Sequence, residues 1–289
     1  MSETKLREDI CRLGRSLFER GLTPGSSGNI SVKLDDGGWL VTPTNASLGF
    51  LDPAKLSRLS ADAKLISGDA PTKEVPLHSA LYQTRQAARA VVHLHSTHSV
   101  ALSMLPEIDP RAVLPPMTAY YVMKCGAAAL VPYYRPGDPA VADAIKGLAG
   151  KYSSVLLANH GPVVSGDTLE AAVFAMEELE ETAKLYLLLR GLNPRFLSPA
   201  QVADLVKVFG VELPEHEPHD EPHAEPTDRE IEAAARVLDK EGRHHHWWPK
   251  SIKPYDEMGT VDPLGKSEFE DIVWRILVAA SKARIRRAD

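Results

Sequence analysis

Two histidines one residue apart, His93 and His95, close the apolar run Val91 to His95, VVHLH. Alternate side chains of an extended chain share a face, so both imidazoles can approach one ion. Neutral imidazole is a common ligand for zinc and its neighbours, and a site that keeps a position open for substrate needs a third protein donor. His160 is a candidate: it follows the apolar stretch 154–158 and sits between Asn159 and Gly161, where backbone can present one ring to a cleft. The same pattern also describes buried or surface histidines without a metal, and spacing leaves both readings open. His78 and His98 suit a helix face, or a place packed beside the site, better than direct ligation.

A carboxylate close to a metal can move protons. Glu74 stands shortly before the histidine pair, ahead of an expected helix, where a carboxylate also complements the helix dipole with no catalytic role. Ser26, Ser27, Gly28 and Asn29 form a small-residue loop, and Thr42 to Ser47 (TPTNAS) is a second loop rich in donors. Taken singly, each is ordinary turn chemistry. Together with Lys73 they form a candidate phosphate cradle, because unobstructed amides and hydroxyls donate to anionic oxygens.

These side chains need a frame. From Ser2 to Arg20, Leu6, Ile10, Leu13, Leu17 and Phe18 recur at helical spacing. Residues 29–34 and 39–42 alternate around Asp35 to Gly38 and predict a hairpin. Further strands are expected at 56–60, 64–66, 90–95, 127–132, 154–158 and 163–165. Helices are expected at 76–88, 99–105, 138–149 and 168–190. The alternation predicts an α/β layer structure with a mixed, largely antiparallel sheet between helices.

The chain of 289 residues, 44% hydrophobic, can bury a large core. Composition changes at Glu212, where an acidic stretch of prolines and histidines begins that cannot bury enough surface to fold alone. This divides the chain into a main domain over 1–211, a linker over 212–227 and a small helical unit over 228–289. That unit reads as two helices, 228–240 and 266–284, joined by an irregular aromatic loop over 244–261. Its run Arg243 to Trp248 (RHHHWW) reads either as a loop anchored by Trp247 and Trp248 or as a metal or partner patch. His216, His219 and His223 of the linker carry the same two readings.

A formal charge of −6 gives no general attraction for nucleic acid or anionic lipid, so anionic ligands must be drawn in by local groups. No apolar run is long enough to span a membrane, and the charged N-terminus lacks the apolar segment of a secretory signal, which points to the cytoplasm. Cys11 and Cys125 match no ligand spacing and are expected to fill space.

Five motifs occur in one order: Gly25 to Ser31 (GSSGNIS), Thr42 to Thr44 (TPT), Glu74, His93 to His95 and Asn159 to Gly161. In this order they resemble the class II aldolase/adducin family over roughly residues 5–210. The wider wording, Leu22 to Ser31, Thr42 to Gly49 and Pro71 to Glu74, is most similar to the branch that decarboxylates 3-oxo-tetronate 4-phosphates. The resemblance implies a three-layer αβα fold and one divalent ion per subunit on His93, His95 and His160. Zinc is the default ion, with manganese, cobalt or iron as alternatives. It implies Glu74 as proton carrier and Tyr120, aligned within one residue of Tyr121, as an acid supplied across a subunit boundary of a homotetramer. Ser26, Gly28, Asn29, Thr44 and Thr72 match the phosphate site.

The sequence departs from the family's sugar-phosphate aldolases at Asn45, where they carry glycine, and at Thr72 and Lys73, where they carry two small hydroxyl residues. Asn45 and Lys73 suggest a substrate with a further anionic group, such as a carboxylate. The implied reaction is decarboxylation to dihydroxyacetone phosphate and carbon dioxide through a metal-stabilised enediolate. The alternatives are a class II aldolase of the fuculose or rhamnulose phosphate type, more distantly a 4-epimerase or dehydratase, and a non-catalytic adducin-like scaffold.

Overall fold

The computed structural model describes residues 2–148, 150–192, 194–214, 226–249 and 251–285, in two compact units that divide between residues 215 and 216. The first unit opens with α1 (Glu3–Glu19), capped by the Ser2 hydroxyl, which accepts from the Lys5 amide. Its apolar stripe of Ile10, Leu13 and Leu17 is buried. The hairpin forms from β1 (Asn29–Lys33) and β2 (Trp39–Val41), with Ser31 opposite Val41. β3 (Ser57–Leu59), β4 (Leu65–Ser67), β5 (Ala90–His93), β6 (Ala128–Val131), β7 (Ser154–Leu157) and β8 (Gly161–Gly166) complete one sheet. Strand order is β4-β3-β2-β1-β5-β8-β7-β6, and only the β6–β7 pair is parallel.

Helices cover both faces: α2 (Val75–Thr84), α3 (Thr97–Leu102), α4 (Ala119–Cys125), α5 (Ala140–Gly147), α6 (Leu169–Leu189) and α7 (Pro199–Phe209). Strand alternation sorts the core into two halves. Ile30, Val32, Leu40 and Val92 pack with residues of α1, α3, α4 and α6. Val41, Val91 and Val163 pack with residues of α2 and α5. His93 follows Val91 by two, so the pleat turns its ring toward the α2 side.

Several expected boundaries move. β5 ends at His93, so His95 lies beyond the strand. α2 ends at Thr84, α3 begins at Thr97, and α5 begins at Ala140. Two helices were not anticipated. The seven residues of α4 are too few to show a period, while α7 carries a readable signal, Pro199 at its start with a Ser198–Gln201 capping box.

Among its described residues the second unit has three helices rather than two: α8 (Asp228–His244), α9 (Tyr255–Val261) and α10 (Pro263–Ile285). Ala235, Tyr255 and Val273 form its small core, joined by Ile231, Leu238 and Phe269. The buried Asp239 carboxylate accepts from the Tyr255 amide and from Arg243, which ties α9 to α8. Sequence pattern misses α9 because its seven residues bury only Tyr255 and Met258, too few to show a periodic stripe. Trp248 packs edge-on against Phe269, but Trp247 is exposed and stacks on His245, so only one of the two tryptophans anchors the loop. The linker histidines His216, His219 and His223 lie outside the described residues.

Candidate active site

The sheet gathers the chemistry at one end. Asn29 begins β1 opposite His93, the last residue of β5, and His93 in turn faces Val163 on β8. The amide of Thr42, just past β2, donates to the Ile30 carbonyl, and the Thr42 hydroxyl accepts from the Ile30 amide. His160 stands in the turn between β7 and β8. Glycine is required on either side of the histidine pair. A Cβ on Gly28 would lie 2.9 Å from the His93 carbonyl oxygen, and one on Gly161 would lie 2.3 Å from that of Leu94. Neither oxygen belongs to a movable side chain, so the close approach of these loops depends on the absent side chains.

Three imidazoles converge there. His93 Nε2 lies 3.2 Å from His95 Nε2, and His95 Nε2 lies 3.1 Å from His160 Nε2. His93 Nδ1 donates to the Pro162 carbonyl at 2.9 Å, which fixes the tautomer and leaves the Nε2 lone pair facing the other rings. Burial disfavours the charged form of all three, driving His93 well below its ordinary value, with His95 and His160 also lowered. Neutral nitrogens this close repel unless something electropositive lies between them. Tetrahedral zinc–imidazole geometry puts ligand nitrogens roughly 3.3 Å apart, so this donor set fits a divalent cation. Among the described residues these three histidines are the one cluster with metal-ligand geometry.

Glu74 stands at the residue before α2 and completes the group. Its Oε2 lies 3.4 Å from His93 Nε2 and its Oε1 3.4 Å from His160 Nε2. Burial pushes the Glu74 carboxyl up, but the neighbouring His93, the hydrogen bond from Asn29, His160 and His78 outweigh it, so the net displacement is downward. Asn29 Nδ2 donates to Glu74 Oε2 at 2.7 Å. His78 is not at the metal cluster. It is fully buried on α2, with Nε2 on the Asn29 side-chain oxygen and Nδ1 on the Ser31 hydroxyl. Burial drives its pKa down to about 3, so it is neutral at physiological pH. His98 pairs instead with Glu180, whose carboxylate also accepts from the His98 and Ser99 amides at the start of α3.

The donor-rich loops are joined in part. Thr44 donates its amide to Ala70, and Thr72 donates its amide to Thr42, so these two loops lie side by side with their backbone donors spent on each other. The Thr72 hydroxyl accepts from the Glu74 amide at 3.3 Å and keeps its O–H to donate to a ligand, as does that of Thr44. Asn45 is exposed and adopts a left-handed backbone, φ 58°. Ser26 is exposed in the turn ahead of β1. Lys73 lines a cleft together with Glu74, His160, Tyr134, Arg135 and Asp138. No motif in the sequence marks Arg135 as sharing the lining of one cleft with Glu74.

Tyr120 and Tyr121 separate cleanly. Tyr120 is 62% exposed near the start of α4, whereas Tyr121 is 1% exposed in the core. Only Tyr120 can reach a second chain.

A sequence profile of the Class II Aldolase and Adducin N-terminal domain matches residues 8–187. The 3-oxo-tetronate 4-phosphate decarboxylase of Cupriavidus necator is 52% identical over 203 residues, covering 70% of this chain and 93% of that protein. The L-fuculose phosphate aldolase of Methanocaldococcus jannaschii is 35% identical over 183 residues, 63% of this chain and 96% of that protein. The crystal structure of YgbL from Escherichia coli superposes with a TM-score of 0.69 at 49% identity, over 70% of this chain and 98% of that one. The matched region carries the histidine cluster and Glu74 and stops short of α8, and by this match the chain belongs to the class II aldolase and adducin N-terminal domain family.

Proposed function

We propose that the chain is a metal-dependent carbon–carbon lyase that decarboxylates a 3-oxo-tetronate 4-phosphate to dihydroxyacetone phosphate and carbon dioxide. The observation that carries this reading is the convergence of His93, His95 and His160 beside Glu74. The 52% identity to a 3-oxo-tetronate 4-phosphate decarboxylase supports the choice of reaction. A bound divalent ion, zinc by default, would act as a Lewis acid toward the charge that develops beside the substrate ketone.

The chain's own residues do the rest. Rupture of the C1–C2 bond releases carbon dioxide and leaves the bonding pair delocalised over C2, C3 and the ketone oxygen. In our reading Glu74, held in place by Asn29, takes up a proton from water and passes it to C2, which completes dihydroxyacetone phosphate. The hydroxyls of Ser26, Thr44 and Thr72, with Gly28 and the second N–H of the Asn29 amide, receive the phosphate. Lys73 and Asn45 receive the carboxylate, and Lys73 lines the cleft beside Glu74. Tyr120 serves a neighbouring subunit of a homotetramer, which its exposure permits.

A second reading, an aldolase, is favoured by the likeness to an L-fuculose phosphate aldolase. Loss of an aldehyde leaves the same electron pair next to the same ketone, so ligands do not separate the two. Metal-loaded protein should release carbon dioxide from 3-oxo-tetronate 4-phosphate and leave ketose 1-phosphates uncleaved. Aldehyde release with no carbon dioxide would reverse the order of the readings. A stable wild-type protein that takes up no divalent ion would favour the scaffold instead. Mixing Tyr120→Phe with Glu74→Gln subunits should restore part of the activity, and verified mixed assemblies with none would remove Tyr120 from the site.

A further inference from the structure

Beneath Glu74 a line of buried polar side chains runs away from the metal cluster. Tyr82 and Ser31 hydroxyls lie 2.8 Å apart, Ser31 lies 2.7 Å from His78 Nδ1, and His78 Nε2 meets the Asn29 oxygen. Asn29 then reaches Glu74. His78 and Ser31 are both fully buried, and Tyr82 is almost so.

The direction of every bond follows from the end at Glu74. Its carboxylate only accepts, so Asn29 must turn its NH2 toward Glu74 and its oxygen toward His78. That oxygen only accepts as well, so His78 carries its proton on Nε2 and leaves Nδ1 bare. Nδ1 accepts from the Ser31 hydroxyl, whose oxygen accepts from Tyr82. Reversing any one link would put two acceptors, or two donors, face to face in a site closed to water, at the full cost of an unsatisfied buried group.

We propose that His78 is a positioning residue, which acts through the Tyr82–Ser31–His78–Asn29 chain to hold the Asn29 amide in the orientation that presents its N–H to Glu74. This rests on Glu74 as the proton carrier. Strand and helix make the device rigid: Ser31 and Asn29 share a face of β1 two residues apart, while His78 and Tyr82 stand four apart on one face of α2. Metal ligation does not require it, because none of the four residues is among the three ligands.

Two readouts test this on the full chain. Long-range proton–nitrogen NMR of histidine-labelled, zinc-loaded protein should show His78 as the neutral Nε2–H tautomer alone. Ser31→Ala should weaken that preference and shift the Asn29 side-chain amide resonances. On 3-oxo-tetronate 4-phosphate, His78→Leu should lower kcat by roughly 10–100-fold with bound zinc retained and KM nearly unchanged, as for loss of a partner behind a functional group. His78→Gln, which keeps a donor, should recover part of that loss, and the milder Tyr82→Phe should cost a few-fold. An Nδ1–H tautomer for His78 would overturn the proposal, as would a folded His78→Leu or Tyr82→Phe protein with wild-type kcat. Absence of wild-type turnover would sink the assigned reaction alone, since the tautomer and amide shifts report the chain of bonds without substrate.

Discussion

His160 Nε2 lies 3.1 Å from His95 Nε2, although 65 residues separate them along the chain. β5 and β8 are antiparallel neighbours, so the end of one strand meets the turn that opens the other. The ligand set is therefore a product of strand pairing, and it should respond as a unit when any member is lost.

Protein purified without chelator should carry close to one divalent ion per chain. Replacing His95 or His160 with alanine should weaken binding by more than the roughly 10–100-fold typical of losing a ligand's hydrogen-bonding partner. Elemental analysis after dialysis reads this directly, and an ion retained at full occupancy in His95→Ala would move the site elsewhere.

Glu74→Gln keeps the shape of the side chain and its acceptor oxygen but cannot carry the proton. We expect kcat to fall by about 10²–10⁴-fold while metal content stays near that of the wild type. A variant that loses its metal together with activity would make Glu74 a ligand rather than a proton carrier.

Lys73 lines the cleft beside Glu74 and is exposed in the free protein. Losing one charge-assisted hydrogen bond, worth about 1.5–3 kcal/mol, should raise KM for 3-oxo-tetronate 4-phosphate in Lys73→Met by roughly 10–150-fold. An unchanged KM would place the substrate's anionic groups against Arg135 or the hydroxyl loops.

Glu180 on α6 anchors the turn that follows His95, accepting from the Ser99 hydroxyl and from the His98 and Ser99 amides. Burial pushes its carboxyl up, and these bonds overcome that, so the folded value lies below the ordinary one. A depressed carboxyl adds stability that is full above its unfolded value of about 4.3 and disappears as pH falls through the folded value. Glu180→Gln should therefore cost on the order of 2–3 kcal/mol at neutral pH and lose less on further acidification than the wild type. Denaturant titrations at pH 7 and pH 3.5 would show it, and parallel losses in both proteins would remove Glu180 from the acid response.

The extra unit at the C-terminus stands outside the matched family region. Its helices were visible where apolar residues recur every three or four positions, as at Ile231, Ala235 and Leu238. α9 was not, since its place depends on Asp239 meeting the Tyr255 amide sixteen residues away.

For the main unit, the amino-acid sequence by itself determined the layers and the identity of the reactive groups. Alternation in 29–33, the β-branched run at 90–93 and the helical stripe of α1 are local properties of the chain, and so is the HxH spacing. Tertiary structure alone decided which groups meet. It brought His160 to the pair, turned Glu74 toward two of the imidazoles, and set His78 behind Asn29 instead of at the metal cluster. It also decided between Tyr120 and Tyr121, because which neighbour of a pair faces the core depends on what packs against the helix. Periodicity reports the face a residue shares with its neighbours in sequence, whereas a site is assembled from residues whose separation is fixed only when strands choose their partners.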